Sequence, residues 1–360
     1  MKKVILCALL LLGFNANAAE TTDKHLLNEM LTTVDNEYLE KVDNADIIAE
    51  GLTALQDLDD NITVSKGSDK FYIYNNRQIY KVVRFPRNPD DISGWIDTVS
   101  EIIEASAKIS DNIALKDFEI PDLMMQKMTA RLDPYSHYYS EYNYNEDEEN
   151  NAIYTLYSDR KIGNILYLRI RIFNKQTARM VRQSLESSPD IKGVIMDLRS
   201  NSGGMFNAAL KTADLFCDNE IITYTAGRDG KNTHYYTSTE GALFDGPMVI
   251  IIDGETASAA EVLAGGLQEQ SRAKLIGARS FGKGTIQNVT QMSNKGRLVL
   301  TTEQFFTPSG KIIHGNGITP DVCLSEAKDG TCAQEKRFNN DDDIKQAVKL
   351  LKEEMPAFEH

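Results

Sequence analysis

Over residues 25–57 apolar positions recur at helical spacing, as in "LLNEMLTTVDNEYLEKVDNADIIAEGLTAL". That pattern predicts helices with one buried face, and Asp43 or Asp46 is placed to cap the second of them. Residues 70–85, "KFYIYNNRQIYKVVRF", alternate on either side of Asn75-Asn76 and predict a hairpin. A helix over about 93–109 holds the single Trp95. Another starts near Pro121 and runs to Arg131, since proline suits a first helical turn. "GLTALQDLDD" at 51–60 is similar to "KMTARLDP" at 127–134, and each precedes an aromatic-rich extended stretch.

The texture changes after an acidic, polar linker, "YNEDEENN", at 144–151. Apolar runs of strand length, "NILYLRIRIF", "GVIMDLRSN" and "GPMVIIIDGETA", alternate with helical patterns, "QTARMVRQSLESS", "GGMFNAALKTADLF" and "SAAEVLAGGLQEQS". Wholly apolar strands alternating with helices define an α/β class. "AKLIGARSFGKGTIQNVTQM" and "RLVLTTEQFFTP" read as mostly extended, and "DDIKQAVKLLKEE" as a closing amphipathic helix.

Composition adds bounds. A chain of 360 residues with 41% hydrophobic positions can bury a sizeable core, as two domains or one large one. Its 53 acidic and 39 basic side chains, a formal charge of −14, argue against a nucleic-acid partner. Residues 1–18, "MKKVILCALLLLGFNANA", have two lysines, a short apolar run and small residues at the end, the layout of a secretory signal rather than a stable membrane anchor. Export, most simply to the periplasm, makes a disulfide between the close pair Cys323 and Cys332 the expected state. Cys217 is then left as buried filler.

The candidate chemistry lies in three stretches. In "MVIIIDGETASAAE" a buried strand runs into a helix and sets Ser258 at the helix start, where unpaired N–H groups stabilise negative charge. A serine nucleophile needs a base. His234 and His314 stay open by spacing alone, because triad partners come from anywhere in a chain. Lysine is the other base. Its ordinary pKa of about 10.4 must fall to roughly 7–8 through apolar burial. "SFGKGTIQ" suits that, with Phe281 and Ile286 as cover and no adjacent carboxylate around Lys283. The flanking glycines admit the backbone of a partner. In an extended segment Lys283, Thr285 and Gln287 share one face, so Gln287 can hold the amine without adding charge. "DLRSNSGG", 197–204, ends a strand in two glycines whose N–H groups can bind an anion.

In their order along the chain, "DLRSNSGG", "GETASAAE", "SFGKGTIQ" and "TPSGKIIHGNGITPDV" closely resemble the signature of the C-terminal processing, or tail-specific, proteases. The resemblance covers about 162–355 and extends more loosely to "EYLEKVDNADIIAEGLTAL" and "LDPYSHYYS". It implies an α/β, crotonase-like (ββα-spiral) peptidase core with a mostly helical N-terminal region. It also implies a serine endopeptidase in which Ser258 is the nucleophile, Lys283 the general base and Gln287 the residue orienting the lysine. The oxyanion hole would combine the N–H of Ala259 with that of Gly203 or Gly204, Gly204 being the better placed. No cofactor or metal is implied. One departure stands out: family members usually carry a PDZ domain where this chain has only residues 141–161. A delivery or adaptor protein would then take over substrate capture.

The expected division is a signal over 1–18, a helical region with a hairpin over 19–147, a protease core over 148–335 and a closing helix over 336–360. The competing reading is a non-catalytic peptide-binding module on the same fold, against which stand the intact Ser258, Lys283 and Gln287. "SRAK" at 271–274 fits the Ser-x-x-Lys spacing of penicillin-interacting enzymes, but neither Ser-Asp-Asn nor Lys-Thr-Gly accompanies it.

Overall fold

The computed structural model describes residues 24–141, 157–337 and 340–354; the signal segment 1–18 and the acidic linker 144–151 lie outside the described residues. The chain divides into two compact units.

The first comprises the residues up to 146 together with 287–302. It begins with α1 (24–37) and α2 (Asn44–Gly51). Of the two candidate caps Asp43 is the one used, its carboxylate accepting the Ala45 N–H at 2.7 Å. After α3 (Ala54–Leu58), β1 (Ile62–Lys66), β2 (Lys70–Asn75) and β3 (Gln78–Arg84) form an antiparallel three-stranded sheet. The hairpin forms in the predicted stretch, with its turn one residue later than Asn75-Asn76, at Asn76-Arg77. Asn76 and Arg77 both have left-handed φ, 49° and 67°, the backbone that a two-residue hairpin turn requires. β1 has no counterpart in the pattern, because its polar half is exposed. α4 (Ile92–Ala107), α5 (Asp111–Leu115) and α6 (Ile120–Leu132) follow, with Pro121 in the first turn of α6. Trp95 is buried and donates its indole N–H to Pro89 O at 2.8 Å. The core joins Met30, Ile47, Leu55, Phe71, Ile102 and Met128. The two similar sequence segments share a local device. Asp59 ends α3 and Asp133 ends α6, both in extended backbone, and each carboxylate accepts the N–H two residues on, from Asn61 and Tyr135. Beyond Asp133, β4 (His137–Tyr139) pairs antiparallel with residues 297–299.

Past residue 156 the chain runs through β5 (Tyr157–Ile162), β6 (Ile165–Ile170), α7 (Thr177–Glu186), β7 (Gly193–Asp197), α8 (Phe206–Ala213), β8 (Ile221–Gly227), β9 (His234–Thr237), β10 (Met248–Ile252), α9 (Ala259–Glu269), β11 (Lys274–Gly277), β12 (Thr285–Gln291), β13 (Arg297–Phe306), β14 (Val322–Cys323) and α10 (Asp341–Glu354). In the second unit β6, β7, β10, β11 and β14 pair in parallel, with β5 antiparallel at the edge. β7 and β10 are buried along their whole length, which is why they carry apolar residues at consecutive positions. Val194, Met196, Ile250 and Ile252 face a core shared with Val181, Ala209 and Leu263 of the helices α7, α8 and α9. Their alternates Ile195, Val249 and Ile251 pack with Ala347 and Leu351 of α10. β8 and β9 pair antiparallel, and residues 303–306 of β13 join β8. The α/β class expected from the alternation is the class observed, and the N-terminal region is mostly helical. No helix among the described residues is long and apolar enough to cross a membrane.

Cys323 and Cys332 are disulfide-bonded, and Cys217 is a buried free thiol. Burial pushes the Cys217 thiol up to about 11. The fold thus favours the protonated thiol, a contribution present below the ordinary thiol range and lost as pH rises through about 11. A chain lacking residues 1–18 is therefore expected to show no reactive thiol at mildly alkaline pH when native, and one in denaturant without reductant. Titration with a chromogenic disulfide reagent checks both counts. Three thiols in denaturant would show that Cys323 and Cys332 are not joined.

Candidate active site

Ser258 stands between β10 and α9. Asp253 closes the turn before it by accepting the N–H groups of Ser200 (2.9 Å), Glu255 and Thr256 (both 3.1 Å). Thr256 ties the turn to Leu198 O at 2.9 Å, and the Ala257 N–H donates to Asn201 O at 2.9 Å. Ser258 itself has φ 55° and ψ −124°, a conformation costing a non-glycine residue about 1–3 kcal/mol unless its surroundings impose it. The surroundings do impose it. Its N–H donates to Glu261 Oε2 at 2.8 Å, and its carbonyl accepts from the Glu261 and Val262 N–H groups.

Glu261 is the hub of the site and was not singled out in the sequence. Its side chain is fully buried. Oε2 accepts the N–H of Ser258 and that of Lys283, both at 2.8 Å. Oε1 accepts the Gly282 N–H at 2.6 Å and the Ser280 hydroxyl at 2.5 Å. One carboxylate thus joins the backbones of Ser258 and Lys283, 25 positions apart in the chain. Burial pushes its pKa up, and the four hydrogen bonds pull it back. A signal was present: Ser258-x-x-Glu261 is the spacing of a capping box, in which the acid reaches back to the N-cap N–H.

The glycine turn lies beside the serine. A Cβ built on Gly203 would fall 2.8 Å from Ser258 Cβ and 3.1 Å from Ala259 N, so only glycine fits. The fully buried Asn201 shapes this turn, donating to Ile170 O at 2.9 Å and accepting the Gly203 N–H at 2.8 Å. The Gly203 N–H is therefore committed. The N–H groups of Gly204 and Ala259 have no acceptor among the described residues. Gly204 has φ 108°, and a Cβ there would meet Phe173 O at 2.3 Å.

Lys283 is half-buried. Its glycine neighbours do admit a close backbone, and that backbone belongs to this chain. Gly282 O accepts from the Gly315 N–H at 2.9 Å, and a Cβ on Gly284 would lie 2.4 Å from His314 N. Strand β12 begins at Thr285, two residues after Lys283. Gln287 falls in the first unit, where its Nε2 donates to Thr301 Oγ1 at 3.1 Å.

Two further groups hold the second unit's loops. Arg199, buried with Asp197, donates to both Asp197 oxygens (2.9 and 2.6 Å) and to Arg337 O and Asn340 O. Burial would lower its pKa; the Asp197 carboxylate more than offsets this and keeps it charged. "DLRS" thus holds Arg337, Asn340 and Asp343 through Arg199. After the disulfide, Glu335 O accepts the Gly254 N–H at 2.7 Å and Ala333 O the Arg279 N–H at 2.9 Å. Gln334 donates to Ser280 O and Phe281 O, so this strap holds the turns preceding both Ser258 and Lys283. Of the open candidates, His234 is exposed in β9. Ser271 lies beyond the end of α9 while Lys274 opens β11, so "SRAK" does not occupy one helical turn.

Residues 164–324 match the profile of Peptidase family S41. A carboxy-terminal-processing protease of Bartonella bacilliformis is 36% identical over 171 residues, which are 46% of this chain and 39% of that protein. A carboxyl-terminal-processing protease of Synechocystis is 37% identical over 164 residues, 44% of this chain and 38% of that protein. The similarity therefore spans less than half the length of these relatives. A lipoprotein from Streptococcus agalactiae shares the fold with a TM-score of 0.52 over 88% of this chain and 99% of that one, at 17% identity. Most of residues 141–161, where a PDZ domain was expected to be missing, lie outside the described residues.

Proposed function

We propose that this protein is an exported serine endopeptidase that cuts protein or peptide chains through an acyl-enzyme. The observation that carries the reading is the shared Glu261 oxygen, which holds the backbones of Ser258 and Lys283 together beside two N–H groups that have no acceptor among the described residues. Ser258 Oγ attacks the peptide carbonyl carbon while Lys283 Nζ takes its proton. The N–H groups of Ala259 and Gly204 stabilise the oxyanion. As the tetrahedral intermediate collapses, Lys283 returns the proton to the leaving amine. Water then attacks the ester carbonyl while Lys283 takes its proton; the intermediate collapses with that proton passed to Ser258 Oγ, and the carboxylic acid product leaves. Gln287 orients the lysine, as the resemblance implies, and no metal or cofactor takes part.

The relatives' names speak of carboxy-terminal processing, and substrate C-termini are the natural targets here too. Residues 1–18 direct export to the periplasm, where an adaptor protein brings the substrates. The test is to incubate the protein with an unfolded protein and a fluorophosphonate probe, then map fragments and adducts by mass spectrometry. New termini together with an adduct on Ser258 are expected. An adduct elsewhere, or no fragment even with cell extract added, overturns the reading in favour of a binding module.

A further inference from the structure

The segment after β14 is fastened without a core. None of residues 325–337 is buried, so no packed apolar face holds them in place. The chain leaves the sheet edge at Cys323, and the Leu324 N–H donates to Gly277 O at 2.7 Å. It turns back through a short hairpin, with the Ala327 N–H on Thr331 O at 2.8 Å and the Ala333 N–H on Ser325 O at 2.7 Å. Cys332 closes the hairpin on Cys323. The strap that follows touches both turns of the site. Ala333 O accepts from Arg279, and Gln334 donates to Ser280 O at 3.1 Å and Phe281 O at 2.8 Å. Glu335 O accepts from Gly254, and Lys336 pairs with Glu255 at 2.8 Å. The Arg337 N–H donates at 3.0 Å to Asp253, the carboxylate that closes the turn before Ser258. The Arg337 guanidinium fixes the far end of the strap on the buried Asp343. The near end has the disulfide. Both cysteines are partly exposed, and residues 328–331 at the hairpin tip are fully so.

We infer that the Cys323–Cys332 disulfide is a redox switch on hydrolysis: opening it slackens the turns that carry Ser258 and Lys283 while the core stays folded. The inference rests on the proposed serine-peptidase reading. A dithiol is the reductant. One of its sulfurs attacks a cysteine sulfur, the other cysteine leaves as a thiol, and the second thiol of the reagent displaces the first cysteine. Two electrons and two protons pass to the protein, and the reagent departs as a cyclic disulfide. Without the cross-link the near end of the strap hangs on hydrogen bonds of partly exposed backbone, which open locally at little cost. The catalytic turns then lose their brace. A misplacement of 1 Å is enough to slow the chemistry about 10²-fold.

The test uses the chain lacking residues 1–18, oxidised or treated with dithiothreitol. Reduction is expected to add two thiols to the count and to slow fluorophosphonate labelling of Ser258 about tenfold or more. Hydrogen exchange, followed by mass spectrometry, should quicken in residues 253–257 and 279–283 but not in β7 and β10. Reoxidation should restore the labelling. The double variant Cys323→Ser, Cys332→Ser should label as slowly as the reduced protein and be indifferent to dithiothreitol, which excludes an effect through Cys217. Equal labelling in both redox states, with the two added thiols counted, overturns the inference and leaves the protease reading intact. Faster exchange throughout β7 and β10 on reduction overturns it too, because the disulfide would then staple the whole fold. Exchange that quickens in the two turns alone, in a protein that labels at Ser258 in neither state, upholds the response of the strap and sinks the protease reading instead.

Discussion

Lys283→Arg will lose Ser258-dependent hydrolysis across the neutral and mildly alkaline range, and so will Lys283→Met. The pair separates two roles for a cation. If Lys283 served by charge alone, arginine would retain much of the activity. A general base has to give up its proton, and a guanidinium does not do so at any ordinary pH. Loss of a general acid–base group costs about 10²–10⁴-fold in rate, and both variants should fall by that much in kcat. Ser258→Ala should fall at least as far. The structure explains why these are clean tests. The site holds Lys283 and Ser258 through their backbone N–H groups, both on Glu261, and every substitution named here keeps its N–H. Unfolding transitions should therefore match wild type, which far-ultraviolet circular dichroism on heating will check. An arginine variant retaining more than a tenth of wild-type kcat would remove Lys283 from the base role.

How much of this was legible depended on how local each cause was. The buried strands "GVIMD" and "MVIII" announce themselves, because a strand covered on both faces needs apolar residues at every position. Asp43 and Pro121 mark helix starts through contacts within a turn. The order of Gly203-Gly204, Ser258, Lys283 and Gln287 stood out as a motif. What stayed hidden were choices made across long separations. The sequence resemblance favours Gly204 over Gly203, and that Asn201 takes the Gly203 N–H appears only in the structure. The glycines around Lys283 announced a close approach but not the partner, which is backbone some 30 residues on. Asp197 and Arg199 read as part of an anion-binding turn. Their work is to hold residues about 140 positions away, visible only once the fold brings Arg337 and Asn340 to them. Glu261 was partly readable, since its capping-box spacing accounts for one bond of four.

Glu261→Gln should cost more stability than any other near-isosteric change in the site. A carboxylate offers two oxygens and no proton, and here each oxygen accepts two donors. An amide has one oxygen. Whichever way it turns, its NH2 faces two N–H or O–H donors that have lost their acceptor. A buried donor left unsatisfied costs about 1–3 kcal/mol, so the variant should lose roughly 2–6 kcal/mol for the two. Glu261→Leu strands all four donors and approaches the whole stability of a typical domain, about 5–15 kcal/mol. Function should suffer before the fold does. If Oε2 is the atom replaced, the Ser258 and Lys283 N–H groups are the ones released, and with them the constraint on the strained Ser258 backbone. Urea unfolding of Glu261→Gln, set beside fluorophosphonate labelling of Ser258, measures both consequences. The midpoint should fall, and labelling should drop at urea concentrations where the secondary structure is still intact. A wild-type midpoint with undiminished labelling would mean that the four bonds to Glu261 do not hold the site together.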